Sequence, residues 1–203
     1  CWLKCRMKTA AALIALAAGA SAFTSTKPAP RSTAVRAVMD EWDGSIDLRG
    51  KEFKFDPLKL SETYAPLMPW FRESEIRHGR TAMLAVVGFI ATDFVRLPGE
   101  MYSFESIPKT VDAHDALLRN GPMLQLLLFI GLFDFVITCP ACVATMQGER
   151  EPGDFGWTKF APSDPAKMQK KKDSELLNGR LAMCAIGGIA TQSVITGHGF
   201  PYI

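Results

Sequence analysis

The chain has 203 residues, a net charge of +2, a hydrophobic share of 48% and five cysteines, with a mean hydropathy of +0.08. That length supports one domain once a targeting segment is set aside. The charge is too small to argue for nucleic acid, and an odd cysteine count without dense spacing is not a disulfide scaffold. Such a hydropathy fits a small membrane protein only where polar head and loop segments dilute its spans.

In chain order, the first residue is Cys1 rather than Met, and Met7-Lys8 is a credible start. Residues 9–19 form an alanine- and leucine-rich run, and Ala20-Ser21-Ala22 supplies small residues before Phe23. That is a signal-peptide pattern. Residues 24–36 are rich in Ser, Thr, Pro, Lys and Arg and carry no acid, as transit peptides do. Residues 1–37 therefore read as upstream sequence, signal peptide and transit peptide in series, a two-step route into a plastid; the alternative is an ordinary secretory signal followed by a disordered linker.

Residues 38–71 read as a polar, irregular head broken by Gly44, Gly50, Pro57, Pro66 and Pro69. Phe55-Asp56-Pro57-Leu58 is a turn-like signal within it. A first long helix is expected over residues 72–97, with Ser74 as N-cap and Pro98-Gly99 as its stop. Its uncharged run falls short of the roughly 20 apolar residues that a lone span needs. A loop follows. The second helix is expected over residues 112–139, capped by Asp112, interrupted at Asn120-Gly121-Pro122 and closed by Cys139-Pro140. Residues 147–172 read as a second connection, and residues 174–196 as the third helix, ahead of a tail with Gly197, Gly199 and Pro201.

Basic residues are unevenly shared. Only Arg96 and Lys109 lie between Arg96 and Asp115, whereas Arg150, Lys159, Lys167 and Lys170 to Lys172 crowd the second connection. Lys and Arg collect on the untranslocated side of a membrane. With three spans, the head and the second connection share that side, the stroma of a plastid, and the acidic first loop faces the lumen. The plainer reading of Lys170 to Lys172 is a solvated helix flank.

The chain repeats itself. Glu75-Ile76-Arg77-His78-Gly79-Arg80-Thr81-Ala82-Met83 returns as Glu175-Leu176-Leu177-Asn178-Gly179-Arg180-Leu181-Ala182-Met183, and Ala85/Ala185 and Gly88/Gly188 also coincide. Duplication explains the shared register and predicts two helices related by a pseudo-twofold axis. Gly79, Ala82, Gly179 and Ala182 are small, and small residues let membrane helices cross closely. A charge deep in a bilayer is costly. Pairing Glu75 with Arg180 and Arg80 with Glu175 offsets that cost. Glu75 and His78 are three apart, as are Glu175 and Asn178, so each pair lies on one helix face. A carboxylate oxygen, an imidazole nitrogen and an amide oxygen each offer a lone pair, and such single donors suit the axial position of a chlorophyll magnesium.

The two motifs resemble the first and third transmembrane helices of light-harvesting chlorophyll-binding proteins. The likeness covers most of the chain from about Phe53 onward. It implies an all-α membrane protein with three transmembrane helices, the first and third crossed, over residues 72–203. It implies magnesium ligands at Glu75, His78, Glu175 and Asn178, with Gln125 in the second helix and Gln192 in the third. Asp134 occupies about where the family often has Glu. Phe55, Asp56, Pro57 and Leu58 resemble the segment that holds one end of a central carotenoid, and Asp164-Pro165 is its weaker counterpart. Green-plant members carry a later histidine ligand; that site is not expected here, because Ile203 follows His198 so soon.

The short loops, the compact second helix and the Ala20-Ser21-Ala22-Phe23 junction look more like the chlorophyll a/c antennae of red-lineage algae, fucoxanthin- and alloxanthin-type proteins among them. The implied cofactors are chlorophyll a, chlorophyll c and carotenoids (xanthophylls). The implied partners are a photosystem I or II core, neighbouring antenna subunits and thylakoid lipids, and no nucleic acid. The implied place is the plastid thylakoid membrane, multi-pass with a stromal N-terminus, and the implied role is energy transfer without a bond change.

Three rivals stand beside it. One is a photoprotective relative that dissipates excitation. Another is a membrane redox protein using Cys139-Pro140-Ala141-Cys142, although a C-x-x-C after an apolar helix lacks the βαβ setting of a redox site. The third is a soluble helical protein. His114 and His198 are read as solvated, and Asp93 as a water-exposed group near the far end of the first helix.

Overall fold

The computed structural model describes residues 43–47, 49, 51, 53–156 and 161–203. The upstream and targeting segment expected over residues 1–37 lies outside them. The described residues form helices and turns, apart from one isolated bridge at Ile46. The helices are α1 (Leu60–Thr63), α2 (Met68–Phe94), α3 (Ala113–Asn120), α4 (Pro122–Met146) and α5 (Pro165–Thr196). Short 3-10 turns at Ala65–Leu67, Glu100–Tyr102 and Thr110–Asp112 lead into α2 or lie between α2 and α3.

Each long helix differs from its sequence reading at an end, and proline explains all three. α2 begins at Met68 rather than residue 72, with Pro69 in its first turn. A proline is accepted there because the first N–H groups of a helix have no intrahelical partner. Ser74 is therefore not a cap but lies inside α2, and the boundary expected at 71/72 falls within the helix. α2 stops at Phe94, where Val95 turns extended, ahead of Gly99 at φ 135°.

α5 begins at Pro165 rather than residue 174, because the Asp164 carboxylate accepts the Ala166 N–H at 3.1 Å and Pro165 follows a true N-cap. Lys170 to Lys172 thus sit on a helix. Gly197, left-handed at φ 66°, ends it.

α4 starts at Pro122 after left-handed Gly121 but does not close at Cys139-Pro140. Residues Asp134–Thr138 form a π-turn, with the Cys139 N–H reaching the Asp134 carbonyl five residues back. Helix then resumes over Cys139–Met146. A proline inside a regular helix strands the carbonyl four residues behind it; the wider π-turn places Pro140 at the start of a new α segment instead. Cys139 and Cys142 are free thiols on this segment.

The most extensive helix contact joins α2 and α5. Their shared seam is lined by small groups: Ala82 and Ala182 are buried, as are Gly79 and Gly179. Buried apolar residues among those described are few, with Leu176, Ile107 and Tyr202 added to the two alanines. By contrast Leu128, Phe129, Leu132 and Phe135 are all exposed along α4. Among the described residues α4 alone is long and apolar enough to cross a membrane by composition. The uncharged stretches of α2 and α5 run over residues 81–92 and 181–196, and α4 is itself interrupted by Asp134.

Candidate functional site

At the motif end of the α2–α5 seam the guanidiniums cross. Arg80 Nε donates to Glu175 Oε1 at 2.6 Å, and Arg180 Nε donates to Glu75 Oε1 at 2.7 Å. Each arginine also spans to a loop. Arg80 Nη1 donates to the Gly153 carbonyl at 2.9 Å and Arg180 Nη1 to the Gly44 carbonyl at 2.8 Å. Both glycines are left-handed, at φ 77° and 85°, and both lie against the residue that follows the opposite glutamate. A Cβ on Gly153 would meet Ile76 at 2.9 Å, and one on Gly44 would meet Leu176 at 2.4 Å. The duplication therefore extends into the loops, each loop closing over the arginine of the other half.

The two glutamates are otherwise unlike. Glu75 Oε2 also receives Arg72 Nη1 at 2.6 Å, whereas Glu175 Oε2 has no partner among the described residues. Their half-buried positions and nearby opposite charges balance the carboxylates without consuming every lone pair.

His78 and Asn178 are oriented by one device. His78 Nδ1 lies 2.7 Å from the Ser74 carbonyl oxygen, which only accepts, so Nδ1 carries the proton and Nε2 keeps a lone pair facing outward. Asn178 Nδ2 donates to the Ser174 carbonyl at 2.8 Å and approaches the Ser174 hydroxyl at 3.2 Å, which leaves Oδ1 outward. Ser74 and Ser174 share the repeat register, a signal present in the sequence but not used in reading it. Gln125 and Gln192 are exposed and their amides have no partners among the described residues. Asp134 is different: Arg77 Nη2 takes Oδ2, and Thr138 Oγ1 donates to Oδ1 at 3.0 Å, so it ties α4 to α2.

Asn178, Gln125 and Gln192 each neighbour a large exposed apolar side chain on the same helix face, Leu181 beyond Asn178, Phe129 beyond Gln125 and Ile195 beyond Gln192. Single oxygen or nitrogen donors set in apolar faces fit a magnesium whose other four positions are filled by a flat macrocycle. They do not fit a bare cation, which collects six or more oxygens.

The head supplies a cavity of about 900 Å³ between itself, α2 and α5, walled by Phe53, Phe55, Asp56, Met68, Leu177 and Leu181 among others. The Asp56 carboxylate is spent on capping: it accepts the N–H of Leu60 at 2.9 Å and of Ser61 at 2.8 Å, and the Ser61 hydroxyl. Burial raises its pKa, and the Ser61, Leu60 and Lys59 hydrogen bonds outweigh that, holding it below the ordinary value. Phe55 and Leu58 are exposed beside it.

Sequence reasoning missed two clusters. Glu73, only 5% exposed, accepts Arg150 Nη2 at 2.6 Å, the Gly153 N–H at 2.6 Å and Thr145 Oγ1 at 3.4 Å. It binds the end of α4 and the second connection to α2. At the far end Asp93 is not simply water-exposed. It accepts Thr110 Oγ1 at 2.5 Å, the Phe200 N–H at 2.9 Å and Tyr202 Oη at 2.9 Å, and so pins the tail and the first loop together. Nothing local in the sequence pairs Glu73 with Arg150, 77 residues apart.

The profile of the family described as Chlorophyll A-B binding protein matches residues 39–194. The chain is 37% identical over 190 residues to fucoxanthin-chlorophyll a-c binding protein C of Phaeodactylum tricornutum, covering 89% of this chain and 92% of that protein. It is 31% identical over 151 residues to a fucoxanthin-chlorophyll a-c binding protein of Chattonella marina var. antiqua, covering 72% of this chain and 66% of that protein. It is also 30% identical over 153 residues to light-harvesting complex stress-related protein 1 of Chlamydomonas reinhardtii, covering 70% and 60% respectively.

Proposed function

The chain belongs to the chlorophyll A-B binding protein family, and from that premise we propose that it is a light-harvesting antenna that holds chlorophylls and carotenoids and passes their excitation to a photosystem. The observation that carries this reading is the crossed pair of guanidinium-balanced glutamates, with outward lone pairs on His78 and Asn178 one turn further along the same helices. Bound chlorophyll supplies light absorption and excitation exchange. The chain's own residues fix where each macrocycle sits.

In this reading Glu75, His78, Gln125, Glu175, Asn178 and Gln192 would each offer one donor atom to a chlorophyll magnesium. Asp134, balanced by Arg77 as the glutamates are by their arginines, is a seventh candidate. Phe55 to Leu58 and the cavity beside them receive one end of a carotenoid. Asp56 shapes that segment by accepting hydrogen bonds from Leu60 and Ser61. Asp164-Pro165 has the equivalent place before α5, where Asp164 is likewise a cap.

α2, α4 and α5 are read as three transmembrane helices of a thylakoid protein with its N-terminus in the stroma. The exposed apolar faces support this, since among the described residues they are left uncovered. The shortfall in uncharged length of α2 and α5 is made up by their motif ends, where the charges are paired internally. The partners proposed are a photosystem core, neighbouring antenna subunits and thylakoid lipids. The family is a pigment-binding rather than an enzyme family, and no bond-changing step is assigned.

The test is to refold the chain in detergent with chlorophyll a, chlorophyll c and xanthophyll, isolate the complex and excite the chlorophyll c band. Chlorophyll a fluorescence with native-like circular dichroism supports the antenna reading, and a chain that retains no pigment refutes it. The likeness to a stress-related protein favours a second reading, dissipation of excitation. A strongly shortened chlorophyll lifetime in the isolated complex would select it.

A further inference from the structure

The repeat places Arg72 and Lys172 in one register, each three residues before its glutamate. The structure uses them differently. The Arg72 side chain is only 11% exposed and turns onto Glu75, Nη1 to Oε2 at 2.6 Å. Lys172 turns away from Glu175, to Glu151 at 2.7 Å and to Asp43 at 3.5 Å. Glu75 is therefore held by two guanidiniums, Arg180 on Oε1 and Arg72 on Oε2. Among the described residues Glu175 is held by Arg80 alone.

From this we infer that Arg72 makes the two carboxylate sites unequal: Glu175 takes its chlorophyll first and tightly, and Glu75 takes one only in competition with Arg72. The inference rests on the reading of both glutamates as magnesium ligands. Charge-assisted hydrogen bonds draw on the same lone pairs that a hard cation needs. A second guanidinium also draws electron density from the carboxylate and weakens it as a donor to magnesium. Nor does Arg72 leave freely. Its Nε is buried without an acceptor, so Glu75 is its anchor, and displacement strands a buried cation. Lysine at the same register is a flexible point charge with carboxylate partners elsewhere, so the other half is spared.

The experiment titrates the refolded full chain in detergent with chlorophyll a alone, reading bound pigment per chain and visible circular dichroism, with far-ultraviolet dichroism as a fold control. Arg72→Leu should tighten a weaker class of binding by roughly tenfold, the scale of one charge-assisted hydrogen bond, and leave the tight class in place. Lys172→Arg should weaken the tight class. Glu75→Gln, which keeps the amide oxygen but loses the charge that holds Arg72, should no longer respond to Arg72→Leu. An unchanged titration in Arg72→Leu overturns the inference, as does an equal response in the Glu75→Gln background. If Glu75→Ala and Glu175→Ala both titrate as the native chain does, the ligand assignment itself falls and the inference with it.

Discussion

Gly79 and Gly179 face each other so closely that a Cβ on either would stand 3.0 Å from the other's Cα and 3.5 Å from its carbonyl carbon. Both have ordinary helical backbone, so the glycines serve approach rather than turn geometry. The next residue on each helix is the arginine that reaches across to the other helix's glutamate. The seam's width therefore sets whether the ion pairs form.

Gly79→Ala and Gly179→Ala should each destabilise the refolded chain by about 1–3 kcal/mol, because backbone must give way on both sides. Alanine's better helix propensity, worth up to about 1 kcal/mol, works against that loss. Gly88→Ala and Gly188→Ala provide the contrast. Neither added methyl meets an atom within 4 Å, so both should be neutral or slightly stabilising. Thermal unfolding of the four variants in one detergent checks the difference.

Glu175→Ala should reduce assembly more than His78→Ala. The first removes a donor and leaves Arg80 with only the Gly153 carbonyl, whereas the second removes a donor alone. Before pigment is added, the stability cost should be on the order of 1 kcal/mol, since Arg80 and Glu175 are each 37% exposed. Adding Arg80→Leu to Glu175→Ala should recover part of that cost, because no charge is then stranded. Equal pigment yields from Glu175→Ala and His78→Ala would contradict the ranking.

Glu73→Ala should be the most damaging single change in this region, costing about 3–5 kcal/mol, because it leaves Arg150 as a nearly buried, unpaired charge. It also frees the Gly153 N–H, and the Gly153 carbonyl holds Arg80. The variant should therefore lose pigment from Glu175 as well as stability. Glu73→Leu combined with Arg150→Leu should regain stability but not the loop's grip on Arg80. Unfolding and pigment yield, measured together, separate the two effects.

The head should respond to acid through Asp56. Its folded pKa lies below the ordinary 3.8, so the stability it contributes is present above that value and is lost as pH falls through the folded one. Asp56→Asn should cost on the order of 1 kcal/mol at neutral pH, the difference between charge-assisted and neutral hydrogen bonds from Leu60 and Ser61. That difference from the native chain should shrink toward zero in acid below the carboxylate range. Melting curves of the two proteins across this span test it. A gap that persists at the lowest pH would mean that the cap does not act through its charge.

Much of the site was legible because its information is local and repeated. Glu, His or Asn and Gly at spacings of three and four share one helix face wherever a helix forms, and duplication supplied both copies with their arginines. Helix ends were less legible. Pro69 and Pro165 open helices rather than precede them, and Pro140 is absorbed by a π-turn that no composition rule anticipates.

What the chain of residues determined by itself is the inventory: two copies of a charge-balanced motif, small groups on one stripe, and single lone-pair donors at helical spacing. Folding in three dimensions decided how that inventory is spent. Gly44 and Gly153 became the carbonyls over the arginines, Glu73 met Arg150, Asp93 caught the tail, and Arg72 but not Lys172 closed on its glutamate. The physical reason is range. Helical periodicity couples residues within a turn or two, whereas each of these contacts except Arg72's joins groups far apart in sequence, and Arg72's own choice of partner depends on which loops crowd the helix mouth.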